Sequence, residues 1–182
     1  LDLAVSQASD ADRTAIVTCS VCIFEEEPRP KLVVEHIACG HLKPLETVEK
    51  LFQVYARFRP VNIRTEDVAF QRLLAPIVQM EGARKGQYLP LLWMKRDNRE
   101  AKQSRIASLQ AWFERGDIKI LDSVPHREDL VLELTRFPKY KRDDIVDALA
   151  DQLQNVRIFG AINEAPLPDL TSRCGEARIG LL

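Results

Sequence analysis

No run of eighteen apolar residues occurs in the 182-residue chain, which excludes a membrane-spanning helix of ordinary length. The basic, apolar, small-residue order of a signal peptide is missing from the N-terminus, so a reducing cytoplasm is the expected compartment. No Gly-x-x-x-x-Gly-Lys-Ser/Thr loop is present, and the chain is therefore not a P-loop motor. Internal repeats and low-complexity tracts are also lacking. So is a surplus of one charge: 26 Lys and Arg against 27 Asp and Glu leave a net charge of −1, which gives no general attraction for nucleic acid. A hydrophobic content of 46% and a charged content of 29% are those of an ordinary globular protein. A chain of this length suits one domain with one sizeable core.

Four cysteines invite a metal reading, because Cys19-x-x-Cys22 is followed by His36, Cys39 and His41. Yet Ala15–Phe24 reads as a strand, where residues three apart point to opposite faces. A zinc knuckle needs a turn between its paired ligands, and no Gly or Pro lies there to make one. Buried, reduced thiols are the expectation.

Strand and helix patterns alternate along the chain. Strands are expected at 14–24 and 31–38, joined by a Glu25–Pro30 turn with two prolines. Pro44 opens a helix whose Leu45, Val48, Leu51, Phe52, Tyr55 and Phe58 keep helical spacing, and Pro60 ends it. A short strand Val61–Thr65 closes on Glu66, and a helix over 67–81 is kinked by Pro76. Tyr88–Met94 is wholly apolar, as for a strand buried on both faces. Asn98 is placed to cap a helix with Ile106, Leu109, Trp112 and Phe113 inward and Gly116 at its end. A small strand Ile118–Leu121, a helix over 127–135 and a helix Asp143–Val156 complete the regular part. Beyond residue 157 the periodicity fades, and Pro166, Pro168, Gly175 and Gly180 predict an irregular tail over 157–182. The order gives an α/β sheet, antiparallel at one side and flanked by helices.

Most of the chemistry-bearing residues gather at the last helix. Asp143, Asp144 and Asp147 place three carboxylates within five residues, at spacings that let them share one helical face. Like charges so close repel unless something positive lies among them, and a hard cation such as Mg²⁺ or Mn²⁺ prefers oxygen ligands. The plainer alternative is that first-turn Asp residues complement the helix dipole. Sites in open α/β sheets form beyond the carboxyl ends of strands, which singles out Glu66. Asp2, in Leu1-Asp2-Leu3-Ala4, is placed to end a strand largely missing from the chain. Basic residues cluster at Lys95, Arg96, Arg99, Lys102 and Arg105, and again from Arg136 to Arg142. Beside carboxylates they suit a site that grips phosphate and holds a cation.

In this order the residues resemble a known family, the C-terminal nuclease domain of the large terminase subunit of tailed bacteriophages, which has the ribonuclease H-like fold. Leu1-Asp2-Leu3-Ala4, with Asp12 and the strand Ala15–Val21, is similar to its opening segment. Ile63-Arg64-Thr65-Glu66-Asp67-Val68-Ala69-Phe70-Gln71 resembles its central Glu before an aromatic-Gln pair. Arg99–Ile106, with Leu109, Phe113 and Gly116, resembles a basic helix and its stop. Glu133-Leu134, Phe137-Pro138 and Asp143-Asp144-Ile145-Val146-Asp147-Ala148-Leu149 look like the closing signature. The likeness covers about residues 1–155, and an Arg, Arg142, stands where many relatives carry His.

The resemblance implies a nuclease domain over 1–156 with a truncated first strand. It implies a two-metal-ion endonuclease with Mg²⁺ or Mn²⁺ held by Asp2, by Glu66 and by the Asp143–Asp144 pair, either of which matches the third carboxylate, and with Asp147 as a further ligand or an orienting residue. Lys95, Lys102, Arg105 and Arg142 are the candidate phosphate contacts. The implied substrate is double-stranded viral DNA, cut with low sequence specificity during packaging in the host cytoplasm. The implied partners are the terminase ATPase domain, the portal and the small terminase subunit. Two alternatives stay open: another ribonuclease H-like nuclease acting on junctions or RNA–DNA hybrids, and a non-catalytic DNA-binding or adaptor module.

Overall fold

A computed structural model describes residues 13–66, 68–94 and 102–164. The elements run β1 (Thr14–Phe24), β2 (Glu27–Gly40), α1 (Pro44–Phe58), β3 (Ile63–Glu66) and α2 (Val68–Lys85). They continue with β4 (Leu91–Met94), α3 (Lys102–Glu114), β5 (Ile118–Ile120), α4 (Arg127–Arg136) and α5 (Asp144–Glu164). Strands β1 and β2 pair antiparallel and β5 joins β2 in parallel; β3 and β4 form a separate parallel pair. The chain is a mixed α/β protein, and no described helix is long and apolar enough to cross a membrane.

Both faces of β1 are covered, which is why Ala15, Ile16 and Val17 are all buried. Ala15 and Val17 join Leu32, Val34 and Ile37 of β2 in a core closed by Ile106 and Leu109 of α3, Leu130 of α4 and the inner face of α5. Ile16 and Ala38 face the other way, onto Leu51 and Val54 of α1 and Ile63 of β3. Behind them Val48 and Phe52 pack on Leu74 and Val78 of α2. The sheet therefore lies between an α3–α4–α5 layer and an α1–α2 layer.

One bulge makes this division possible. Thr18 pairs with His36 but Cys19 pairs with Val34, so β2 carries an extra residue there. Side chains alternate with period two, and the extra residue shifts the inward set from Leu32 and Val34 to Ile37. Without it Ile37 would face α1.

The observed elements depart from the sequence expectations at several ends. The hairpin turn is only Glu25–Glu26, with Phe24 opposite Glu27, rather than the longer Glu25–Pro30 loop. Pro28 and Pro30 fall in β2 beside a second register shift, between Cys22 and Phe24, where ladder bonds are already interrupted. Helix α2 runs on to Lys85, four residues past the expected end. Gly86 stops it at φ 62, with Gln87 N–H donating to the Gly82 carbonyl at 2.9 Å. The same motif stops α3 at the expected Gly116 (φ 66), with Asp117 N–H donating to the Trp112 carbonyl at 2.8 Å. The expected cap Asn98 lies outside the described residues.

Strand β4 is not buried on both faces, because Leu92 and the preceding Tyr88 are exposed. Helix α5 passes the expected end at Val156 and continues to Glu164. Residues 157–164, expected as the start of an irregular tail over 157–182, are thus helical, and residues 165–182 lie outside the described residues.

Strand β5 is three residues long and is held to β2 partly by charge. The Lys31 ammonium, fully enclosed, lies 2.9 Å from Asp117 Oδ1 and 2.5 Å from Glu27 Oε2. Arg115 Nε donates to the other Asp117 oxygen at 2.7 Å, and Leu32 N–H donates to the Asp117 carbonyl at 2.8 Å.

Since α5 closes the larger core, Leu149→Ala should destabilise the protein by about 2–5 kcal/mol. Exposed Val61→Ala should stay within about 0.5 kcal/mol of the parent in the same urea titration.

Candidate functional site

Helix α5 begins at Asp144, and Asp143 stands immediately before it. The Asp147 N–H donates to the Asp143 carbonyl at 2.9 Å, which makes Asp143 the N-cap residue. An N-cap Asp ordinarily turns its own carboxylate onto the second or third helical N–H. Here those donors, Ile145 N–H and Val146 N–H, go to Glu133 Oε2 at 2.9 and 3.1 Å.

Glu133 projects from α4 and is only 1% exposed. Its Oε1 accepts from Arg13 Nη2 at 2.5 Å. Arg13 enters from the start of β1 and also places Nε 3.5 Å from Asp144 Oδ2 and Nη1 3.9 Å from Asp129 Oδ2. One guanidinium thus ties β1, α4 and α5 together. Burial pushes the Glu133 carboxyl above the ordinary carboxylate range, while the Val146 N–H and Arg13 pull against that shift.

Asp143 and Asp147 turn instead toward α3. Lys102 Nζ lies 2.9 Å from Asp143 Oδ1 and 3.4 Å from Asp147 Oδ2. Arg105 Nη2 lies 2.5 Å from Asp147 Oδ1, and its Nε lies 3.3 Å from Asp151 Oδ1. Carboxylates at 143, 147 and 151 thus meet cations one turn apart on α3. The expected single face for all three Asp residues is accordingly divided. Successive helical residues are rotated by about 100°, and this sends Asp144 toward Arg13 while Asp143 and Asp147 share Lys102.

Glu66 is the last residue of β3, in register with Met94. The Glu66 side chain, Asp2 and Lys95 lie outside the described residues. Arg142 is exposed, whereas Arg105 is largely enclosed and turned onto Asp147 and Asp151. Among the described residues no three His, Cys, Asp or Glu side chains converge as a metal centre. What Asp143 and Asp147 do supply is a pair of hard oxygen donors around one cation, the Lys102 ammonium, and this donor chemistry suits Mg²⁺ or Mn²⁺.

Cys19 and Cys22 both lie within β1, and Cys19, Cys22 and Cys39 are free thiols, each half-buried. Burial pushes the Cys19 thiol up and takes the Cys39 thiol up to about 12, so neither is a thiolate near neutral pH.

Arg13 carried no sequence signal as a site residue, and Glu133 entered only within the closing signature of the resemblance, with no site role given to it. Glu133 sits in a charged helix beside exposed Glu128 and Arg127, and nothing local marks it as the buried one. No protein-family model matches this sequence, and no curated protein matches it.

Removing Arg13 leaves Glu133 and Asp144 buried with less positive charge. Arg13→Met should therefore cost on the order of 3 kcal/mol at pH 8. The Glu133 carboxyl, already raised, rises further in that variant. A folded-state value above the unfolded one gives stability that is full below about pH 4.3 and lost as pH rises. The variant's deficit should consequently be smaller at pH 5 than at pH 8 in paired urea titrations.

Proposed function

We propose that the chain is a metal-dependent endonuclease of the ribonuclease H-like class, acting on double-stranded DNA. The observation that carries this is the convergence of Asp143 and Asp147 on one cation, beside buried Asp144, at the start of a helix packed on the sheet. Glu66 at the carboxyl end of β3 supports it, since that is where open α/β sheets build their sites.

In this proposal Asp2, Glu66, Asp143 and Asp144 hold two divalent cations, with Asp147 as a further ligand or an orienting residue. Bound cations supply Lewis-acid polarisation of the phosphodiester and of the attacking water. The protein supplies the rest. Arg13 and Arg105 keep the surrounding carboxylates in fixed orientations, and Lys102 offsets their charge before substrate arrives. Arg142, exposed next to Asp143, is placed to meet a backbone phosphate, with Lys95 and Lys102 as further contacts. Phosphate contacts read no sequence, so low cleavage specificity follows. The resemblance to phage terminase nucleases extends the proposal to cutting viral DNA concatemers. An ATPase domain, a portal and a small terminase subunit would then provide delivery in the host cytoplasm.

A second reading is favoured by one observation: the buried carboxylates are already met by Arg13, Lys102 and Arg105. On that reading the acidic cluster braces α5 against α3 and β1 within a non-catalytic DNA-binding module.

Supercoiled plasmid incubated in Mn²⁺, Mg²⁺ or EDTA, beside Glu66→Ala and Asp144→Ala, separates the two. The nuclease proposal expects metal-dependent nicking and linearisation, reduced by roughly 100-fold or more in either variant. Cutting unchanged in both variants would remove the site assignment, and no cutting by the folded protein in any metal would favour the brace. Junction and RNA–DNA hybrid substrates in the same assay test the related nuclease classes.

A further inference from the structure

The structure assigns to Glu133 a positioning role: it stands in as the N-cap of α5 and thereby leaves the Asp143 carboxylate free to face the site. Two N–H groups that an N-cap Asp would ordinarily satisfy, those of Ile145 and Val146, both donate to Glu133 Oε2. Asp143 occupies the N-cap position by its backbone, yet its carboxylate contacts Lys102 Nζ across the gap to α3. A carboxylate folded back onto its own helix has its lone pairs committed to N–H groups. One relieved of that duty points outward. Arg13 completes the arrangement by holding the second Glu133 oxygen, which keeps the first aimed at the helix end.

The consequence for metal binding rests on the nuclease proposal, whereas the capping assignment does not. If Glu133 loses its acceptor oxygens, the Ile145 and Val146 N–H groups become buried donors without a partner, and the nearest replacement is the Asp143 carboxylate. Asp143 then turns inward and is lost as a cation ligand.

Two measurements on the 182-residue chain test this. The first uses Asp143→Ala, a substitution at a partly exposed side chain, and reads amide hydrogen exchange at Ile145 and Val146. With Glu133 as the cap, protection should change less than about twofold. Loss of an ordinary Asp N-cap lowers helix population roughly 2- to 30-fold, and a tenfold faster exchange would overturn the assignment.

The second measurement titrates Mn²⁺ by electron paramagnetic resonance into the parent, Asp143→Ala, Asp144→Ala, Glu133→Met and the Asp143→Ala/Glu133→Met double variant, all checked as folded. Glu133→Met should weaken Mn²⁺ binding about as much as Asp143→Ala. The double variant should be no weaker than either, because both act through one carboxylate. Parental affinity in folded Glu133→Met, with Asp143→Ala impaired, would leave Glu133 a purely structural residue and overturn the positioning role. Parental affinity in both Asp143→Ala and Asp144→Ala would instead remove the metal proposal and leave the capping result standing on hydrogen exchange. If Glu133→Met does not fold, the exchange measurement alone decides the capping assignment.

Discussion

Gathering Asp143, Asp144, Asp147 and Glu133 at one helix start is unfavourable unless cations are brought to them, and this constraint organises the surrounding structure. Arg13 is delivered from the start of β1, and Lys102 and Arg105 from one face of α3. Each contact crosses from one element to another. The ion pairs therefore do more than neutralise charge: they fix where α3, α4 and β1 meet α5. The positive end of the helix dipole adds to the same balance, but only over the first turn. It acts least on Asp147, which lies at the far end of that turn and is fully enclosed, and there Arg105 and Lys102 do the neutralising.

Much of the fold was legible because periodicity reports burial. The β1 span, the α1 helix from Pro44 to Phe58, the α3 stop at Gly116 and the α4 helix all follow from apolar spacing and end signals. The misjudged ends have local causes. Prolines in β2 suggest a loop until a register shift gives them a place without ladder bonds. The wholly apolar β4 suggests two covered faces, yet Leu92 is exposed. Helix α5 carries on through Gly160, a residue that weakens a helix without ending it.

The candidate site was legible in composition and not in orientation. Three Asp residues within five positions announce a charge cluster, but spacing alone does not say which cation each one meets. That depends on α3 and β1 arriving from about 40 and 130 positions away in sequence, as the Lys102–Asp143 and Arg13–Asp144 pairs show. The role of Glu133 was hidden for a related reason. A Glu inside an ordinary charged helix looks solvent-facing, and only the packing of α4 on α5 turns it into the acceptor for another helix's first turn.

The proposed chemistry depends on whether the Lys102 ammonium occupies a position that a divalent cation can take. The most direct measurement is anomalous diffraction from a crystal of this chain grown in Mn²⁺. Anomalous density is expected against the Asp143 carboxylate, with Lys102 drawn away from it. A crystal saturated with Mn²⁺ that shows no density there, and keeps Lys102 Nζ between Asp143 and Asp147, would contradict it.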